Sequence, residues 1–210
     1  MTIGLLALQG DFQAHRAILQ RCAVSFPLLQ IVEVRDARDL ESCDGLIIPG
    51  GESTTMSRLC DRYKLWQPLQ DNLARGMGAL GTCAGMILLA KNVEGATQNF
   101  AQRTLGALDI DVARNAYGTQ IESFEGEVET GDSLNCEPLR GVFIRAPRIV
   151  RCGEVEVLAR RGNEAVAVRH EKIVAAAFHP EIAGETRLHE LWLASLDGAV
   201  NVQAAIGDAL

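Results

Sequence analysis

The stretch Met77 to Ala90, MGALGTCAGMILLA, decides the fold. Met77 to Thr82 is small and apolar, the composition of a short strand buried on both faces. Met86 to Ala90 is apolar and favours helix, and between them lies Gly81-Thr82-Cys83-Ala84-Gly85, a G-x-C-x-G elbow. The glycines permit a tight strand-to-helix turn. That turn sets the thiol at a helix N-terminus, where free N–H groups and the helix dipole favour thiolate. It also aims the Ala84 N–H at an oxyanion developing on an attacked carbonyl. A buried structural cysteine beside a small-residue helix start is the competing interpretation of the pentapeptide.

Working outward, the same grammar recurs. Ile3 to Leu8 ends at Gln9-Gly10 and precedes a segment in which Phe12, Ile18 and Leu19 recur at helical spacing. Ile31 to Val34 is a second strand; Leu46 to Pro49 is a third, ending in Gly50-Gly51 before a helix start at Ser53-Thr54. Apolar strands alternating with helices predict a mostly parallel sheet covered on both faces, a single three-layer α/β domain. From about Leu105 the strands crowd together: Asp109 to Val112, Gln120 to Val128, Gly141 to Ile144, Val155 to Leu158, Ala165 to Val168 and Ile173 to Phe178. Val166 to Phe178, broken at His170-Glu171-Lys172, has the pattern of a hairpin, so an antiparallel portion is expected in the second half. A closing helix is expected from Thr186 to Leu196, with Leu188, Leu191, Trp192 and Ser195 on one face. No linker or repeat divides the chain, which is taken as one domain over residues 1–197 and a tail over 198–210.

Composition bounds the chemistry. The 210 residues are 48% hydrophobic and 22% charged, with a formal net charge of -7. A chain of this length buries roughly 70% of its unfolded surface without help from metals or disulfides. The acidic balance lacks the Lys/Arg cluster a nucleic-acid binder needs. Six cysteines, Cys22, Cys43, Cys60, Cys83, Cys136 and Cys152, form no CxxC pair, so no zinc site is expected. Met1 to Asp11 has no basic n-region of a signal peptide and no apolar run reaches bilayer length, so a cytoplasmic protein with reduced thiols is expected.

A cysteine nucleophile needs a base, and the chain has four histidines, His15, His170, His179 and His189. His179 closes the run Ile173 to Phe178, at the strand edge where open parallel sheets place their sites. Glu181, two residues on, falls on the same side of an extended chain and can orient the imidazole. His15 and His189 read as structural helix residues and His170 as a hairpin turn. A second oxyanion donor is available at Pro49-Gly50-Gly51-Glu52-Ser53, where two glycines let backbone N–H groups approach a substrate closely. An ordinary turn with a Ser or Thr helix cap fits that stretch equally well.

Pro49 to Ser53, Gly81 to Gly85 and His179-Pro180-Glu181, in that order on an α/β chain, resemble the class I, triad-type glutamine amidotransferases, whose fold is flavodoxin-like. The detail is similar to one branch, the glutaminase subunits of pyridoxal 5'-phosphate synthase. The matching stretches are Leu6 to Phe12, Ile47 to Met56 (IIPGGESTTM), Gly81 to Met86 (GTCAGM), Arg114 to Gln120 (RNAYGTQ) with Ser123-Phe124-Glu125, Val142 to Pro147 (VFIRAP) and Ala177 to Glu181 (AFHPE). The resemblance implies Cys83 as nucleophile, His179 as general base and acid and Glu181 as its orienting carboxylate. It implies Gly50, Gly51, Glu52, Arg114, Ile144 and Arg145 around L-glutamine, with Gly51 and Ala84 as oxyanion donors. Arg145, inside an apolar run, is expected to be buried and therefore to have a purpose.

The resemblance further implies that ammonia passes to a barrel-shaped synthase subunit, which combines it with ribose 5-phosphate and glyceraldehyde 3-phosphate to make pyridoxal 5'-phosphate. The Gly50-Gly51 turn is then the natural switch, since glycines tolerate a peptide flip. No cofactor and no metal is expected of this chain. Departures from the family pattern are Thr119, where Arg or Ser is commoner, and a slightly longer loop from Ala23 to Gln30. Glutaminase subunits of the imidazole glycerol phosphate or anthranilate systems, a cysteine-based redox or stress protein, and a silent binding subunit are the alternatives. RNAYGTQ and VFIRAP argue against the first, Ala84 instead of a His after the cysteine against the second, and an intact Cys83, His179 and Glu181 against the third.

Overall fold

The computed structural model of the chain describes residues 1–95, 101–114 and 123–197. The first half alternates strand and helix: β1 (Thr2–Leu6), α1 (Phe12–Cys22), β2 (Gln30–Val34), β3 (Gly45–Ile48), α2 (Ser53–Arg62), α3 (Trp66–Ala74), β4 (Gly78–Thr82) and α4 (Ala84–Leu89). The second half is strand-rich: β5 (Ala90–Glu94), β6 (Leu108–Ala113), β7 (Phe124–Thr130), β8 (Leu139–Phe143), β9 (Arg148–Cys152), β10 (Glu156–Arg161), β11 (Glu164–His170) and β12 (Ile173–Ala176), closed by α5 (Arg187–Leu196).

A nine-stranded sheet runs in the order β2-β1-β3-β4-β12-β11-β10-β7-β8. Pairing is parallel from β2 through β12 and antiparallel from β12 onward. β3 and β4 are buried at every residue, as expected of central strands covered on both sides. The two covers can be told apart at β4. A Cβ on Gly78 would meet Leu196 and Trp192 of α5, whereas one on Gly81 would meet Gly85 and Leu89 of α4. Residues three apart on a strand point to opposite faces, so α5 and α4 lie on opposite sides of the sheet. α1 packs with α5, and α2 with α4, which completes three layers.

The antiparallel half curls back. Val142, near the end of β8, exchanges backbone hydrogen bonds with His179 beyond β12: His179 N–H donates to Val142 O at 2.8 Å and Val142 N–H to His179 O at 3.3 Å. Phe143 fills the enclosed space, 4.7 Å from the Phe124 ring centroid and 5.4 Å from that of Phe178. The last strand of the sheet therefore ends beside the C-terminal end of its middle.

The expected hairpin is β11–β12, turning at Glu171 with φ 50°. The helix expected at Met86 starts two residues earlier, at Ala84, and Ala90 already belongs to β5. α3, β5 and β9 were not anticipated. β5 and β9 flank β6 in a separate three-stranded sheet, and charged residues such as Lys91, Glu94, Arg148 and Arg151 at their exposed positions interrupt the apolar pattern and disguise them as loop. Lys91 pairs with Asp109 at 3.1 Å, and Arg151 with Asp109 and Asp111 at 2.7 Å each, across neighbouring strands. Thr119, most of RNAYGTQ, the start of the strand expected from Gln120 and the tail 198–210 lie outside the described residues. No helix among the described residues is long and apolar enough to cross a membrane.

Candidate active site

Cys83 sits at the junction of β4 and α4 with φ 49° and ψ −102°, a conformation that is costly for a residue with a side chain. Its neighbours hold it there. The Cys83 N–H donates to Ala176 O at 2.8 Å, tying the turn to the adjacent parallel strand. A Cβ on Gly85 would strike the Ile48 carbonyl oxygen, and one on Gly81 would sit 2.6 Å from the Gly85 backbone. Both glycines are therefore required by close backbone approach, and the thiol projects from the C-terminal edge of the parallel strands, where such folds bind ligands.

His179 leaves β12 toward the same edge, fixed by its backbone pair with Val142. Its Nδ1 lies 2.7 Å from Glu181 Oε1, and its ring shares the cavity wall with the Cys83 thiol. With Nδ1 engaged by the carboxylate, the other ring nitrogen is the one available to sulfur. Burial alone would lower the His179 pKa; the neighbouring Cys83 and Glu181 outweigh it and raise it to about 10. For Glu181, burial favours the neutral acid, but the facing His15 and His179 overcome it and hold the pKa down to about 2. The pair favours carboxylate and imidazolium, the state that follows proton transfer from a thiol. By contrast, burial pushes Cys22 and Cys60 up to about 12.

A cavity of about 230 Å³ opens over the pair, lined by Gly10, Gly50, Cys83, Arg114, Arg145 and His179 among others. Every residue singled out in the sequence except Ala84 and Glu181 is part of that lining, including Gly51, Glu52 and Ile144. Glu181 stands behind His179, and Ala84 opens α4, so its N–H is among those a helix leaves without an intrahelical acceptor. Gly50 is pressed against the His179 ring, where a Cβ would collide with Cε1. Ile144 is at the rim, and its carbonyl accepts from the Cys83 thiol at 3.9 Å.

Three expectations change in detail. Arg145 is not buried: it follows β8 in an exposed turn with φ 46°, so its place at the mouth of the cavity follows from the turn and not from a buried charge. The cap of α2 is Glu52, not Ser53 or Thr54; its carboxylate accepts from Thr55 N–H at 2.6 Å and Thr54 N–H at 3.3 Å. Burial opposes the charge on Glu52, but those bonds prevail and keep its pKa below the ordinary value. Arg114 lies 3.6 Å from Glu52 and donates to Thr54 Oγ1 at 3.0 Å, so it is held at the cavity by the start of α2. The third change is that His15 and His189 are not bystanders. Both are fully buried, and His15 Nε2 lies 3.4 Å from Glu181 Oε1.

Residues that were missed share a legible signal. Gln9 accepts the Glu52 N–H at 3.1 Å and so braces the Gly50-Gly51 turn; a polar residue at the end of an apolar strand was its cue. Thr82, buried beside Cys83, lies 3.1 Å from His15 Nε2 and 3.4 Å from Glu181 Oε1.

The SNO glutamine amidotransferase family profile matches residues 5–197. The chain belongs to that family. Among relatives of the family, a pyridoxal 5'-phosphate synthase subunit PdxT from Nocardioides sp. is 47% identical over 198 residues, covering 91% of this chain and 94% of the relative. One of the same name from Mycolicibacterium vanbaalenii is 48% identical, covering 92% and 97%. A crystal structure of a glutamine amidotransferase superposes with TM-score 0.82 at 42% identity, covering 93% of this chain and 98% of that one. The PurLQS structure from Thermotoga maritima, at 15% identity and TM-score 0.65, shares the fold.

Proposed function

We propose that this glutamine amidotransferase hydrolyses L-glutamine to L-glutamate and ammonia through Cys83, His179 and Glu181, as the glutaminase subunit of a pyridoxal 5'-phosphate synthase. The observation that carries the chemistry is the convergence of a strained elbow thiol and a histidine on one cavity, with a buried carboxylate bonded to the histidine from behind. The pathway rests on the PdxT relatives, which match nearly end to end.

In the first half-reaction Cys83 sulfur attacks the side-chain amide carbon and its proton passes to His179. The oxyanion is held by N–H groups at Gly51 and Ala84. His179 returns the proton to the amide nitrogen, ammonia leaves, and a thioester remains. Water, deprotonated by His179, then attacks the thioester carbon, and glutamate departs as the thiolate re-forms. Glu52, Arg114 and Arg145 face the ends of the substrate, where an arginine can clamp the α-carboxylate in two-point fashion. Ammonia is passed to a barrel-shaped synthase subunit in a multi-subunit cytoplasmic complex, which joins it to ribose 5-phosphate and glyceraldehyde 3-phosphate. Residues 1–197 form the amidotransferase domain and 198–210 a tail outside it.

The test is glutamate release from L-glutamine by the purified chain, alone and with a pyridoxal phosphate synthase subunit, with Cys83→Ala as control. Turnover that rises with the partner and vanishes in the variant is expected. Turnover indifferent to the partner overturns the pathway, and no turnover in either condition overturns the chemistry.

A further inference from the structure

A line of buried polar groups runs away from the cavity behind Glu181, through groups that the proposed reaction does not use. His189 on α5 and His15 on α1 are both 0% exposed, and His189 Nε2 lies 2.9 Å from His15 Nδ1. The other nitrogen of His15, Nε2, faces Thr82 Oγ1 at 3.1 Å and Glu181 Oε1 at 3.4 Å. Oε1 is also the oxygen that receives His179 Nδ1. At the far end, His189 Nδ1 is buried with no hydrogen-bond partner among the described residues.

A neutral imidazole carries one donor and one acceptor, so the line can run in only two senses. If His15 carried its proton on Nδ1, it would donate to His189. Its bare Nε2 lone pair would then face a carboxylate unless Thr82 Oγ1, 3.1 Å away, gave up its bond to Glu181 to donate there, and His189 would bury an N–H with nothing to receive it. The first takes a donor from Glu181 and the second is the cost of an unmet buried donor. In the opposite sense His189 Nε2–H donates to His15 Nδ1, and His15 Nε2–H donates toward Thr82 and Glu181. Of the two imidazoles, only the His189 Nδ1 lone pair is then left unpaired; Glu181 Oε2 has no partner among the described residues in either sense.

We propose that His189 and His15 are positioning residues forming a one-way chain of N–H donors that ends on Glu181 Oε1. The chain holds that oxygen in place and charged, and so fixes the proton of His179 on Nδ1 and leaves the other nitrogen for sulfur. It rests on the amidotransferase reading only for its kinetic consequence. Both histidines must be neutral for the chain to have a sense, and burial does lower both: His189 to about 3, and His15 below its ordinary value against the opposing pull of Glu181 and Asp11.

The chain is tested first without turnover, by ¹⁵N NMR of the imidazoles in the full-length protein near neutral pH. His15 and His189 should both be neutral with the proton on Nε2. A proton on Nδ1 of either, or a charged His15, overturns the proposal even if glutamine is hydrolysed. Equally, Nε2 protons on both in a chain that hydrolyses no glutamine leave the relay standing while the reaction falls. The second arm compares folded His15→Phe, His15→Gln and His189→Phe variants. His15→Phe should lower kcat about ten- to a hundredfold, the loss of one charge-assisted hydrogen bond, with KM changed by less than about threefold. His15→Gln, which keeps an N–H near the Nε2 position, should recover most of it. His189→Phe lies beyond contact with Glu181 and should lower kcat more mildly while shifting His15 from the single Nε2–H tautomer. Wild-type kcat in His15→Phe, or equal loss in His15→Phe and His15→Gln, overturns the proposal.

Discussion

At Gly51 the chain combines φ 154° with a Cβ position only 2.6 Å from both Nε2 and Oε1 of Gln9. A side chain there displaces Gln9, whose Oε1 holds the Glu52 N–H, and so loosens the turn that supplies the proposed oxyanion donor. Gly51→Ala is expected to lower partner-stimulated glutamine turnover about ten- to a hundredfold, the cost of one misplaced donor, and to cost about 1–3 kcal/mol of folding stability through backbone strain. Unchanged stimulated turnover would remove Gly51 from the mechanism. Glu181→Gln tests the other side. The carboxylate would become an amide that cannot support an imidazolium, so kcat should fall by about two to four orders of magnitude while Cys83 stays in place. Steady-state kinetics on both variants check these outcomes. Cys83, His179 and Glu181 were legible because each punctuates a strand end with a reactive group. Arg145 misled because it follows closely on the apolar end of β8, whereas the residue itself turns outward.

Elements show why the elbow tolerates no substitution. α4 begins directly after Cys83, and β4, β3 and the first turn of α4 approach to backbone contact, with a Gly85 Cβ running into the Ile48 carbonyl. Gly85→Ala is expected to destabilise the fold by about 1–3 kcal/mol, the range for overpacking a close-packed site, and to abolish turnover. A urea melt together with the glutaminase assay measures both, and an unaltered melt would contradict the close approach. The helical stripes of α1 and α5 also carry a lesson. His15 lies three and four residues before Ile18 and Leu19, and His189 lies three before Trp192, so both histidines occupy buried faces. Periodicity therefore shows that they are buried, but not that the two helices meet behind Glu181. β5 and β9 escaped notice because a strand paired in a small, charged, half-exposed sheet lacks the apolar run that marks β3 and β4.

For the whole molecule, titration of the buried line predicts how stability depends on pH. His15 and His189 have folded pKa values below the ordinary 6.5, so the unfolded chain binds more protons in acid and stability falls as pH drops below about 6.5, for His189 down to about 3. The slope from His189 is about 1.4 kcal/mol per pH unit within that window, and His15 adds to it in the same direction. Glu181, held down to about 2 from 4.5, adds to the loss below about pH 4.5. His179 acts oppositely: its raised pKa contributes stability fully present below 6.5 and lost as pH rises through about 10. A denaturation series across pH should therefore peak near 6.5, and His189→Phe should flatten the acid limb. An acid limb unchanged in that variant would show that His189 does not titrate as described. The amino-acid sequence by itself determined the α/β class, the elbow, the candidate residues Cys83, His179 and Glu181, and the family, because each is written in local pattern, in turn chemistry or in motif order. Only the tertiary structure decided that β8 folds back to grip His179, that Arg145 faces outward, and that α1 and α5 deliver two histidines to the back of Glu181. Those contacts join residues far apart in the chain, and the sense of a buried hydrogen-bond line exists only once its members are in place.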